Sequence, residues 1–275
     1  MAYMIDTGLR IDVGCEFKYE VAQPTPAIFM VRPEIHHGQE LLTEHWSTDP
    51  REPFHDYRDL YGNVCRRTVL PAGISTVRYS AQVAVSNELD PYAPDAVQYA
   101  AEALPDDVLV YTLPSRYCVS DLLGDQAWSL FGGTAPGWAR VQAICDYVHN
   151  RLRFSYGTST PSTTALDAFQ NQVGVCRDFA HLAISFARAM NIPARYAFGY
   201  LPDIDVPPPD APMDFCAWFE AYLDGTWWTF DARNNTRRRG RAVIARGRDA
   251  LDVAMVTTYG RALLHQMTVF ADKSP

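Results

Sequence analysis

The sequence predicts an α+β fold: an N-terminal antiparallel β-sandwich lobe followed by a core of helices packed on an antiparallel sheet. Three observations carry this. Short alternating runs fill the chain from Leu9 to about Val85, and helical spacing of apolar residues takes over from Val119. Late in the chain, two apolar strands flank Asp224-Gly225, a strong hairpin signal. With 275 residues and 48% hydrophobic content, the chain has material for two packed units. We place them at 1–110 for the β unit and 111–275 for the core.

In the first unit, the runs CEFKYEV, AIFMVRP, VCRRTVL and STVRYSAQVAV alternate in polarity between Pro, Asp, Asn and Gly breaks, as half-buried strands do. The Pro/Asp clusters from Pro91 to Pro114 punctuate the chain and read as the crossing between units. Two helices are expected in SDLLGDQAWSLF and WARVQAICDYVHNRL. A third begins at Thr164, whose spacing to Asp167 is that of a capping box with Asp in place of Glu. A central helix should start at or just before Cys176 and end near Asn191, where Pro193 blocks continuation. The strands DFCAWFEAYL and TWWTFDAR follow, and RAVIARG and HQMTVFA are expected to complete the core sheet.

Charge and cysteine usage exclude several function classes. Lys and Arg total 24 against 32 Asp and Glu, a net charge of −8, which argues against a nucleic-acid or anionic-membrane binder. The cluster Arg237, Arg238, Arg239, Arg241, Arg246 and Arg248 has no interleaved stacking aromatics and reads as a solvated loop followed by an edge strand. The opening segment lacks a basic n-region and an apolar h-region, and no apolar run approaches a membrane span, so a cytoplasmic location is expected. Six cysteines without CxxC spacing fit neither a zinc ribbon nor a disulfide scaffold; no metal and no cofactor is expected. No motif specifies an oligomeric state.

Cys176 is the residue with the most chemical content. In the first turn of a helix a thiol meets unpaired N–H groups, which favour thiolate. Beneath it lie Phe179, Ala180, Ala183, Ala187 and Met190, an apolar face suited to a buried helix. His181 is the nearest histidine, but five steps turn it about 140° and raise it about 7.5 Å, so it reads as a packing or hydrogen-bonding support. A two-residue Asp224-Gly225 loop would pair Leu223 with Thr226, Trp218 with Asp231 and Cys216 with Arg233. Cys216 and Asp231 would then be diagonal neighbours about 7–8 Å apart, a gap an imidazole at 216 could bridge and a thiol cannot.

The stretches GVCRDFAHLAISFARAMNIPARYAFGYL and DFCAWFEAYLDGTWWTFDAR resemble the transglutaminase-like superfamily over about residues 120–260, and the β-rich start is similar to the N-terminal β domain of its bacterial members. The resemblance implies a papain-like core and a triad for acyl transfer, with Cys176 as nucleophile and Asp231 as orienting acid. The histidine position falls on Cys216. A second thiol lacks the near-neutral titration and the cationic form that the imidazole supplies.

Three readings are open. In the first, Cys176, Cys216 and Asp231 carry cysteine-dependent acyl transfer or amide hydrolysis on a peptide or small amide. Arg233, Trp218 and His181 support the site; Arg233 could pair with Asp231 or a thiolate, but it cannot act as a base. In the second, the cleft of a pseudoenzyme binds a peptide or small ligand without turnover. In the third, Cys176 and Cys216 form a two-thiol redox or metal site, which requires about 4.4–6.8 Å between Cα atoms for a disulfide.

Overall fold

The alternating runs of the N-terminal third form six strands, β1 (Leu9–Val21), β2 (Thr25–Phe29), β3 (Gln39–Asp49), β4 (His55–Arg58), β5 (Val64–Leu70) and β6 (Gly73–Val85). The structure is a computed structural model described over residues 8–36, 38–207 and 211–274; residues 1–7, on which part of the leader-segment reading rests, lie outside the described residues. After several 3₁₀ turns come α1 (Gly124–Phe131), α2 (Trp138–Arg151), β7 (Arg153–Phe154), α3 (Ala165–Asn171), β8 (Val173–Gly174) and α4 (Cys176–Ala189). The remaining strands are β9 (Ala194–Tyr200), β10 (Cys216–Leu223), β11 (Thr226–Phe230), β12 (Ala242–Gly247), β13 (Val256–Thr258) and β14 (Ala262–Lys273).

Two four-stranded sheets make the β-rich part, in the orders β14-β1-β6-β3 and β13-β2-β5-β4. Alternate residues of β1 and β2 are buried, and Phe17 meets Phe29 across the sheets with ring centroids 5.7 Å apart. The expectation that HQMTVFA completes the core sheet is overturned. Its strand β14 pairs antiparallel with β1, from Ile11 opposite Lys273 to Val21 opposite Ala262. An alternating strand fits any sheet with one face covered, so periodicity identifies the strand without choosing its neighbour. RAVIARG does join the core sheet, whose order is β11-β10-β9-β12.

Helix α4 lies against β9 and β10 and is buried from Asp178 to Arg188. The Thr164–Asp167 capping box forms as its spacing predicts. The hairpin turn places Asp224 and Gly225 at φ 50° and 77°, the left-handed pair that a two-residue turn needs. Apart from the parallel two-residue pairing of β7 with β8, the ladders are antiparallel.

Core sheet and sandwich share one apolar interior. Phe215, just before β10, stacks near Phe17 of β1 at 6.4 Å, and Tyr200 donates its hydroxyl to the Val31 carbonyl at 2.9 Å. The outer edge of β12 is covered by two side-chain amides. Gln39 donates to the Val243 carbonyl and accepts from its N–H, and Asn63 does the same with Arg246. These amides replace a neighbouring strand and close an edge that would otherwise be open to another chain. No helix among the described residues is long and apolar enough to cross a membrane.

The arginine cluster is corrected in part. The strand after it, β12, is the edge strand expected, but Arg238 is buried, the Arg241 side chain is 6% exposed, and Arg246 is ion-paired to Glu220 and Glu34. Carboxylates distant in sequence draw these guanidiniums inward, a pairing that local composition does not reveal.

Candidate active site

Cys176 is the first residue of α4. Its position is fixed by Asp178, whose buried carboxylate accepts the Val175 N–H at 2.8 Å and the Ser159 hydroxyl at 3.0 Å. Valine has no side-chain acceptor, so only the acidic half of a capping box operates here. Gly174 is required by contact, because a Cβ there would lie 2.6 Å from the Asp178 Cβ. Gly174→Ala is therefore expected to cost about 1–3 kcal/mol in urea unfolding. An unchanged midpoint would show that Asp178 gives way to the added Cβ without loss.

The thiol opens onto a cavity of about 570 Å³ whose wall also carries Cys216, Asp214, Tyr156 and Arg233. Burial pushes the Cys176 thiol up to about 11; the Ala217 N–H opposes this, Asp214 adds to it and Arg233 opposes it. The expected gain of thiolate at a helix N-terminus is thus outweighed by desolvation. Cys176 donates weakly to the Phe215 carbonyl at 3.8 Å, and the Cys216 thiol, also raised by burial and by Asp231, reaches the Ala217 carbonyl at 3.8 Å. Asp214 is raised by burial, against the Phe215 N–H that it accepts at 2.7 Å.

The hairpin register agrees with the arithmetic from Leu223–Thr226 to Phe219–Phe230 and then stops. Asp231 leaves the ladder and opens a turn in which the Asn235 N–H donates to its carbonyl, so the pairs Trp218–Asp231 and Cys216–Arg233 do not form. In the turn, the Asp231 carboxylate takes four donors. Oδ1 accepts the N–H groups of Arg233 and Asn234, and Oδ2 accepts Asn234 Nδ2 at 2.7 Å and Arg241 Nη2 at 2.9 Å. Burial would raise its pKa, but the Arg241 charge and the Asn234 donors hold it below the usual carboxylate range.

The support residues separate. Arg233 lines the cavity, but its guanidinium lies over Phe154 at 4.4 Å and donates to Asn234; only its backbone touches Asp231. Trp218 faces away from this cavity into a second one and carries Arg241 over its ring at 4.8 Å. His181 is fully buried between Tyr117 and Tyr196, its Nε2 accepting the Ala250 N–H at 3.1 Å. Burial holds its imidazole far below its ordinary pKa, and it packs behind Tyr117, Tyr196 and Ala250, which line the cavity. His149 meets the Arg233 carbonyl at 3.0 Å, and among the described residues no histidine lines the cavity.

Sequence reasoning missed Asp214, Tyr156, Asn234 and Arg241. The first two flank the motif with no spacing rule of their own; Asn234 and Arg241 lie three and ten residues past Asp231, close enough to have been tested as partners. All six cysteines are free thiols. Among the described residues, no group of three or more His, Cys, Asp or Glu side chains could hold a metal ion.

Comparison with known proteins adds three findings. The family described as the transglutaminase-like superfamily matches residues 127–232. An uncharacterised protein of Mycobacterium leprae is 35% identical over 121 residues; the match spans 42% of this chain and 42% of that protein. The crystal structure of a candidate cysteine protease from Cytophaga hutchinsonii superposes with a TM-score of 0.88 at 31% identity, covering 96% of this chain and 90% of that one.

Proposed function

Since the chain belongs to the transglutaminase-like superfamily, we propose that it performs cysteine-dependent acyl transfer or amide hydrolysis on a peptide or small amide, with Cys176 as nucleophile and Cys216 standing where an imidazole would assist it. The observation that carries this reading is the placement of Cys176. Its thiol sits at the start of a buried helix, on the wall of a cavity shared with Cys216 and beside the anchored Asp231 turn. Attack of the thiolate on the substrate carbonyl would form a thioester as the C–N bond breaks, the leaving amine taking its proton from water, and water or a second amine would then take the acyl group and release the thiolate. The first N–H groups of α4 precede its first intrahelical bond and suit a developing oxyanion. Cys216, held protonated, can donate a weak hydrogen bond but cannot serve as a base near neutral pH. Turnover is correspondingly slow, and it climbs with pH as Cys176 ionises. Both thiols stay available in a reducing compartment, and the cytoplasm is the location we propose.

A second reading, a cleft that binds a peptide or small ligand without turnover, is favoured by one feature: the carboxylate that would orient an imidazole already has four donors. Two measurements on one protein separate the readings. With a thiol pKa of about 11 against an ordinary 9.0, Cys176 should react with iodoacetamide about 100-fold more slowly than a free cysteine at pH 7, and the rate should rise until pH exceeds the pKa. Release of p-nitrophenol from an activated ester should be slow, increase over the same pH range and vanish in Cys176→Ala. Ester cleavage that survives the alanine variant would remove Cys176 from the chemistry and leave the binding reading.

A further inference from the structure

Hydrolysis of a thioester on Cys176 leaves one proton to be placed, because the attacking water must lose it as the new C–O bond forms. Among the described residues no histidine lines the cavity to take it. Tyr156 and Tyr196 face the same space, but burial raises both phenols and keeps them protonated near neutral pH, and Cys216 is held protonated in the same way. Two carboxylates remain on the wall, Asp203 and Asp214, and Asp203 is claimed by Arg238 at 3.5 Å.

Asp214 differs from Asp203. Its Oδ1 accepts the Phe215 N–H at 2.7 Å, and among the described residues no cation and no other donor meets the carboxylate. The cations of the wall are engaged elsewhere: Arg177 donates to Ser159 and Thr160, Arg233 donates to Asn234 and lies over Phe154, and Arg238 donates to the Pro202 carbonyl. Asp214 is also held in place. The ring of Phe215, the next residue, packs near Phe17, Phe198 and Tyr200, and its carbonyl accepts the Cys176 thiol at 3.8 Å. One anchored residue therefore holds the thiol on its carbonyl and the carboxylate on its N–H. No direct bond joins the carboxylate to the sulfur, and this spacing suits acyl release. Water attacking a thioester carbonyl stands about 3 Å from the carbon, and its proton acceptor lies a further ~2.8 Å away. The base for this step belongs one water's breadth from the sulfur.

We infer that Asp214 is the proton acceptor for acyl release, its carboxylate taking a proton from the water that attacks the Cys176 thioester; this rests on the acyl-transfer reading above and adds a residue to it. The C–O bond forms as the C–S bond breaks, the sulfur leaves as thiolate, and the acid product keeps the second hydrogen of the water. Protonated Asp214 then returns its proton to the thiolate through solvent in the cavity, which restores both groups. Burial lifts the Asp214 carboxyl above its ordinary 3.8, toward working pH, and so strengthens it as a base.

The test measures acyl release apart from acyl loading. The full chain is acetylated with p-nitrophenyl acetate at alkaline pH, where Cys176 ionises, the excess ester is removed, and loss of the acetyl group at about pH 7 is followed by intact mass spectrometry. Asp214→Asn keeps the oxygen that accepts from Phe215 and should slow release about 100-fold, so that the acyl-protein persists. Its Cys176 should react with iodoacetamide no more slowly than in the parent, because a negative charge that disfavours the thiolate is gone. Release in the parent should fall as pH drops through a pKa above 3.8, and the variant should lack this limb. Equal release from parent and variant overturns the inference and leaves the acyl-transfer reading standing. Slow release joined to equally slowed alkylation assigns Asp214 to structure and overturns it as well. A parent that gains no more acetyl than Cys176→Ala removes the reading and the inference together.

Discussion

Cys216→His is expected to raise Cys176-dependent ester or peptide-amide cleavage by about 10²–10⁴-fold, the usual contribution of a positioned acid–base group. The reason is electrostatic as well as protolytic. An imidazolium beside Cys176 would stabilise the thiolate that burial now disfavours at a pKa of about 11, and its own titration lies near neutral pH. The rate profile should change with it, from a rise toward alkaline pH to a plateau reached near pH 7. One competitor stands in the way. Asp231 already accepts from Arg233, Asn234 and Arg241, so an introduced imidazole must displace one donor; Arg241 can yield because Asp90 holds its Nε. A variant that folds, alkylates at Cys176 as slowly as the parent and turns over no faster would show that the site has diverged beyond this one position.

The largest expected effect on stability comes from Arg241→Ala, at about 3–5 kcal/mol, because it leaves the buried Asp231 and the partly buried Asp90 without their cation. Arg241 bridges Asp90 and Asp231, whose side chains are 13% and 3% exposed. The pH dependence has a definite sign. Asp231 in the folded protein lies below its ordinary 3.8, so its pairing contributes stability above that value, and this is lost as pH falls through the folded-state pKa. In the alanine variant an unpaired buried Asp231 prefers its proton, and acid between about pH 6 and 4 should relieve part of the defect, the opposite slope from the parent. Chemical unfolding from about pH 6 down to about pH 3 measures both, the variant's relief in the upper part and the parent's loss in the lower. A loss below about 1 kcal/mol would mean that the pair is solvated in solution and behaves as a surface bridge.

Much of this architecture was legible locally. Asp224-Gly225 specified the hairpin, Thr164 and Asp167 the start of α3, and Pro193 the end of α4, because each acts within a turn or two of itself. The family likeness in the same stretch set the fold of the core. What escaped depended on partners distant in sequence. Asp231 leaves the ladder for a turn stabilised by Asn234, and Arg241 is drawn inside by Asp90, 151 residues away. The alternation in HQMTVFA could not reveal that its partner begins at Leu9. Thiol ionisation was misjudged for a related reason: the helix end is visible in sequence, whereas the desolvation that outweighs it is a property of the assembled cavity.

The pairing of β14 with β1 bears on biosynthesis. Strand β1 lies in the interior of its sheet, flanked by β6 and by β14. A nascent chain emerging from the ribosome can zip β1 to β6 early, but it must keep the other border of β1 unoccupied while about 180 further residues are made. Only when Ala262–Lys273 has emerged does that border close. The first strand therefore remains an unfinished surface throughout synthesis of the helical core, the interval in which a chaperone or a stray strand has the best opportunity to occupy it.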